Sequence, residues 1–248
     1  MRSGETLDTS DEIEGHQPRR WGMGDAAAGL LLANVCAVLG GSLILAATRN
    51  QSTDYEDLPL TMVAVLQIPL WLGYLGAPLW AARTKGNGIV ADFGFRTRWM
   101  DAPIGLAIGV ATQVALIPLL YIPIFWLTGD QDVSAPARGL TDRATDPVGV
   151  ALLVSIVVVG APIIEELFFR GLLLRSVEKR FGTRWALAAT SLLFGAIHLQ
   201  LLQFPALATA GLVFGILTVR SGRLGPAIWA HVGFNGIAVI TLLSTGST

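Results

Sequence analysis

A chain of 248 residues with 52% hydrophobic side chains, 14% charged side chains and a mean hydropathy of +0.59 is too apolar for one soluble domain. A soluble surface of that size needs far more charge to cover it. The formal net charge of −1, with no nucleotide-binding loop and no internal repeat, gives no footing for nucleic acid, and no nucleic-acid partner is expected. The fold class that remains is all-α, a polytopic helix bundle in a lipid bilayer.

Taken in chain order, residues 1–24 carry Glu5, Asp8, Asp11, Glu12 and Glu14 with little apolar content, and read as a disordered cytosolic tail in which His16 is solvated and inert. Apolar runs long enough to cross a bilayer follow at 25–47, 60–82, 103–127, 148–169 and 224–243. Two shorter runs, 185–199 and 204–219, bring the number of expected spans to about seven; an irregular eighth segment around 200–205 is compatible with the pattern. With seven spans and the N-terminus inside, 14 of the 17 Lys and Arg residues fall on one side, and only Arg49, Arg138 and Arg143 fall on the other. The positive-inside rule therefore selects N-in, in a multi-pass cell-membrane protein. Fifteen Arg against two Lys hints at a GC-rich prokaryotic genome. Cys36, the single cysteine, sits inside the first span and offers neither a disulfide nor a thiol metal site. The loops 83–101 and 128–146 look like ordinary connectors, and Trp21, Trp99, Trp126 and Trp185 lie near span ends as an interfacial belt would. The organisation expected is the tail, a set of N-terminal helices at 25–146 and a functional core at 147–248.

Ionisable groups inside hydrocarbon are costly, so those that occur are expected to have a partner or a task. The only acids well inside the spans are Glu165 and Glu166, and the only histidines there are His198 and His231. The helix carrying the glutamates keeps its pattern to a stop at Gly182, with Glu165 17 residues before it and His198 16 residues after it. At 1.5 Å per residue both stand about 25 Å from the turn, level in an antiparallel hairpin. His231 lies eight residues beyond Arg223, about 12 Å inside the same boundary. Three helices thus bring Glu, His and His to one depth near the cytosolic leaflet. Glu166 and Arg170 are spaced i,i+4 with the acid first, the favourable order for an ion pair near the interface, which leaves Glu165 for the cavity. His231 and Asn235 share one face, as do Phe194 and His198. Pro162 frees a carbonyl one turn before Glu165 and bends the helix where a pocket would need space. Taken singly, His198 would be a satisfied interhelical histidine and Asn235 a polar clasp between helices.

The motifs Glu165-Glu166-x-x-x-Arg170, Phe194-x-x-x-His198 and His231-x-x-x-Asn235, in that order on three spans, resemble the CPBP family of intramembrane proteases, which includes the CAAX prenyl endopeptidases and bacteriocin-processing or immunity proteins. The resemblance covers about 147–243 and implies an intramembrane endopeptidase acting on a peptide or membrane-protein substrate. It further implies that Glu165 and His198 activate a water while His231 and Asn235 stabilise the oxyanion, with Glu166, Arg170 and Phe194 in support. A carboxylate and two neutral imidazoles, Glu165, His198 and His231, would equally suit a zinc ion with an open water position, although the His-Glu-x-x-His helix of common zinc proteases is missing. Two other functions fit a buried Glu/His cluster. One is a non-catalytic immunity or peptide-binding factor; the other is a proton-coupled transporter, which the lack of an internal repeat disfavours.

Overall fold

The computed structural model describes residues 18–245. Nine helices and no strand occur among them: α1 (Met23–Ala47), α2 (Leu60–Lys85), α3 (Ile89–Phe93), α4 (Asp101–Thr128), α5 (Ala135–Thr141), α6 (Pro147–Phe181), α7 (Thr183–Ala196), α8 (Phe204–Ser221) and α9 (Gly225–Thr245). Six of them, α1, α2, α4, α6, α8 and α9, are long and apolar enough to cross a membrane. The protein is a multi-pass membrane protein. The expected span at 185–199 is the 14-residue helix α7, which rises only about 21 Å and ends at Ala196. The stretch at 200–205 is a turn running into α8, so no eighth span forms among the described residues.

Hydrogen bonds gather the connections into two ends. At one end Arg20 N donates to the Lys85 carbonyl (2.8 Å), Leu224 N to Gly94 (2.8 Å) and Gly225 N to Arg96 (3.1 Å), while Lys179 reaches the Trp21 carbonyl (3.1 Å). Arg223 grips Asp101 there, with Nε to Oδ2 at 2.9 Å. At the other end Gln203 donates to the Val133 carbonyl (2.7 Å), Tyr121 to Leu202 (2.5 Å), and Arg143 lies over the Tyr55 ring (5.2 Å). The side that collects most of the Arg and Lys in the sequence is therefore one physical end of the bundle, and Arg143 is at the opposite end.

Local chemistry explains the long helix that carries the glutamates. Asp146 caps α6 by accepting from Gly149 N (2.7 Å), and Pro147 occupies the first turn, where a missing N–H costs nothing. The helix continues for 35 residues, about 52 Å, well beyond a hydrocarbon core of about 30 Å. It stops at Gly182, whose φ of 78° an L side chain resists. Two widened π-helical stretches, Val154–Gly160 and Leu167–Leu173, flank Pro162 within it.

Packing relies on small residues, as expected where no hydrophobic force drives apolar helices together in lipid. On α4, Gly105 and Gly109 let the backbone of α9 approach so closely that a Cβ at Gly109 would overlap the Ala230 carbonyl. The central apolar cluster joins Tyr74, Phe93, Phe168, Phe169, Phe194 and Leu224, while Leu31, Leu39, Leu119 and Ile122 point outward to lipid.

Three readings from composition change here. Residues 18–24 are not a free tail: Trp21 is 2% exposed, packs at a tilt against Phe93 (5.0 Å) and lies under the Lys179 ammonium (3.1 Å). A lone apolar ring in a polar stretch carries too weak a signal to reveal such docking. Trp21 also leaves the expected lipid-facing belt, which Trp99, Trp126 and Trp185 do fit, all three being exposed. The rest of the tail, with His16, lies outside the described residues. Finally, the connection 83–101 is more than a linker, because it buries Asp92, Phe93 and Asp101.

Candidate active site

Glu165 and Glu166 lie on α6 between its two π-helical stretches, a kind of distortion that frequently accompanies functional sites. Glu166 is fully buried, and its Oε1 accepts from Arg170 Nη1 (2.9 Å) and from His231 Nδ1 (3.0 Å). The expected i,i+4 pair therefore forms, but in the interior rather than near the interface. Arg170, 1% exposed, is enclosed by the rings of Phe194 (4.3 Å), Phe214 (5.5 Å) and Phe169 (5.9 Å) and gives a second N–H to the Gly211 carbonyl (3.0 Å). One oxygen of Glu166, Oε2, is buried with no hydrogen-bond partner.

His231 stands between the two glutamates. A carboxylate accepts, so the contact with Glu166 places a proton on Nδ1, and Nε2 then faces Glu165 Oε2 at 3.9 Å. Phe214 stacks against the imidazole (4.8 Å, 24° between planes) and Phe194 meets it edge-on (5.8 Å). Packed rings on both sides and a carboxylate at Nδ1 leave this histidine little freedom to rotate.

His198 follows the end of α7, where its Nδ1 lies 2.7 Å from the Phe194 carbonyl. Since a carbonyl can only accept, Nδ1 carries the proton and the lone pair of the neutral ring is on Nε2, the form that can take a proton. The Phe194 ring touches the imidazoles of both His198 (5.1 Å) and His231 (5.8 Å), so the predicted face-sharing of Phe194 and His198 brings the two histidines to one aromatic ring. Among the described residues no ion pair joins His198 to either glutamate.

Asn235, one turn beyond His231, donates Nδ2–H to the Val157 carbonyl (2.8 Å) in the first π-helical stretch of α6. It clasps α9 to α6 and keeps one amide N–H free of that bond. A cavity of about 400 Å³ begins beside it, lined by Gln113, Gln203, Phe234 and Thr241 among others, and runs towards the end of the bundle where Gln203 meets Val133. Glu165, His198 and His231 do not line that cavity. Glu165 retains partial exposure, 17% of its side chain.

The arrangement brings Glu165, Glu166, Arg170, His231 and Phe194 together and reaches His198 through the Phe194 ring. It does not gather Glu165, His198 and His231 into a group able to hold a metal ion; no such group of three or more His, Cys, Asp or Glu exists among the described residues. The residues missed from the sequence are Phe214, Gly211 and Tyr74, the last packed on Phe168 (4.7 Å) and Phe169 (5.6 Å). Phe214 and Gly211 read as ordinary apolar helix. The signal that could have found them is the need of a buried guanidinium for aromatic faces and a spare carbonyl.

A sequence profile of the type II CAAX prenyl endopeptidase, Rce1-like family matches residues 147–237, which contain every one of the motif residues. A 24.3 kDa Escherichia coli protein of uncharacterised activity is 31% identical over 150 residues, 54% of this chain and 67% of that protein. The chain belongs to the Rce1-like family. The Bacillus subtilis (strain 168) membrane-peptidase candidate YdiL is 28% identical over 94 residues, 38% of each chain. No solved structure matches the chain. Membership in the Rce1-like family makes this a membrane protein of a peptidase family with a peptide substrate and a bilayer setting, and the part that the family profile matches begins at the first residue of α6 and ends within α9.

Proposed function

We propose that this Rce1-like protein is an intramembrane endopeptidase whose Glu165 and His198 activate a water and whose His231 and Asn235 stabilise the oxyanion. The observation that carries the reading is His231 held between Glu166 (3.0 Å) and Glu165 (3.9 Å) inside the bundle. A buried, oriented imidazole beside a partly exposed carboxylate is what peptide hydrolysis needs and what structural packing alone does not call for.

In this reading Glu165 takes a proton from a water as the water oxygen bonds to the peptide carbonyl carbon, with the Nε2 lone pair of His198 as the second acceptor. The protonated base then delivers that proton to the amide nitrogen as the C–N bond breaks, releasing an amine and a carboxylic acid. Charge develops on the carbonyl oxygen, where the free N–H of Asn235 and Nε2–H of His231 donate to it. For His231 to donate at Nε2 while Nδ1 donates to Glu166, it carries both protons. Glu166 and Arg170 act by fixing His231, and Phe194 by setting the spacing of the two imidazoles. His231 lies six residues into α9, about 9 Å from the arginine-rich end. That depth supports a scissile bond near the cytosolic leaflet, the side assigned by the positive-inside rule. No step is assigned to a metal, since the three candidate ligands are not gathered.

The test is cleavage of a peptide library and of a whole-membrane proteome by detergent-purified protein and by Glu165→Ala, each with and without chelator. Products absent from the variant establish the protease. Chelator-sensitive products would require Glu165, His198 and His231 to close around an ion. Identical profiles from two folded proteins would refute the protease and favour a peptide-binding immunity factor.

A further inference from the structure

We propose that the arginine-rich end holds a binding site for a phosphate-bearing anion, in the cavity between the α2–α4 connection and the α8–α9 turn. The cavity measures about 530 Å³ and is lined by Arg96 and Arg175 together with backbone at Gly88, Gly94 and Gly222. Arg175 spends one Nη2–H on the Gly222 carbonyl (3.1 Å), and its Nε is buried with no acceptor. Neither Arg96 nor Arg175 makes an ion pair among the described residues.

The acids nearby are already committed. Asp92 pairs with Arg19 Nε (3.1 Å) and accepts from Asn87 N (2.6 Å), Glu178 accepts from Thr183 (2.6 Å), and Asp101 is held by Arg223 (2.9 Å). Two arginines thus line one cavity whose lining includes no Asp or Glu, and a guanidinium fork is matched to phosphate oxygens. The place of the cavity selects the source of the phosphate. Trp80, Trp99 and Trp185 are exposed at this end, which marks the membrane boundary, and exposed Val90 adds an apolar contact beside the cavity. A basic recess between helices at that level suits the headgroup phosphate of an anionic phospholipid.

The experiment is native mass spectrometry of the full-length protein in detergent, titrated with short-chain phosphatidylglycerol, short-chain phosphatidylcholine or inorganic phosphate. Wild type is expected to retain phosphatidylglycerol over phosphatidylcholine, and Arg96→Gln/Arg175→Gln to lose that retention by roughly tenfold or more. Arg180→Gln, on the same end but outside the cavity, is expected to keep it. Inorganic phosphate that binds while phosphatidylglycerol does not would assign the site to the free anion. Equal retention by wild type and the double variant would overturn the site, as would an equal loss in Arg180→Gln. If the double variant does not fold, Arg96→Gln alone decides the matter, because Arg96 is exposed and its side chain makes no ion pair among the described residues.

Discussion

Removing either partner of the Glu166–Arg170 pair should cost far more than removing both. Glu166 is 0% and Arg170 1% exposed, so each single substitution strands a charge away from water, at about 3–5 kcal/mol. Arg170→Met leaves Glu166 with only His231 as a partner, and its Oε2 already lacks one. Glu166→Leu leaves the guanidinium with a carbonyl and three aromatic faces. The double variant places two apolar side chains of similar volume among Phe169, Phe194 and Phe214 and should fall within about 2 kcal/mol of wild type. The coupling energy expected from the cycle is therefore at least about 4 kcal/mol. The assay is reversible unfolding in mixed micelles of the four proteins, followed by far-UV circular dichroism. Peptide cleavage is measured alongside, and the double variant should stay inactive although stable, since His231 has lost the carboxylate that orients it. Additive losses, or a single variant costing under about 1 kcal/mol, would refute the claim that the pair is desolvated and holds His231.

Further expectations come from the same geometry. Glu165→Gln should lower kcat/KM by about 10²- to 10⁴-fold with little change in thermal midpoint, because Glu165 is partly exposed and its 3.9 Å approach to His231 is looser than the contacts of Glu166 with Arg170 and His231. Asn235→Ala should destabilise by about 1 kcal/mol through the lost bond to Val157 and also cut kcat by about 10²- to 10³-fold, a split that circular dichroism and kinetics separate. Gly109→Val should push α9 away from α4 and give a protein that is extracted from membranes but no longer monodisperse on gel filtration. The hydrogen bonds that Arg223 donates to the Asp101 carboxylate raise the pKa of Arg223 above the ordinary arginine value. Its contribution is fully present below the unfolded pKa and is lost only as pH climbs through the higher folded one, while Arg223 in turn holds the Asp101 carboxyl below its ordinary value, so the gap between the unfolding midpoints of wild type and Arg223→Gln should stay constant from about pH 5 to about pH 10 and close as acid protonates Asp101.

Composition and periodicity determined much of this protein by themselves. A surface with so little charge has to face lipid, and a backbone in lipid has to close its own hydrogen bonds, so hydropathy alone locates the long helices. The glutamates and histidines stood out for the same reason: a polar group in hydrocarbon is rare enough to be read without a structure, and the i,i+4 spacing of Glu166 and Arg170 set their pairing. Tertiary structure decided the rest. It put Arg170 under three aromatic rings rather than at the interface, gave His231 to both glutamates, spent one amide N–H of Asn235 on a carbonyl in a widened helical turn, and set His198 against the same Phe194 ring as His231. It also pinned Trp21 onto Phe93 and Lys179, in a stretch that reads as unstructured. Depth along a helix is fixed by residue count, whereas rotation about its axis and the identity of the neighbouring face depend on how small residues let helices approach, and that depends on contacts between segments far apart in the chain.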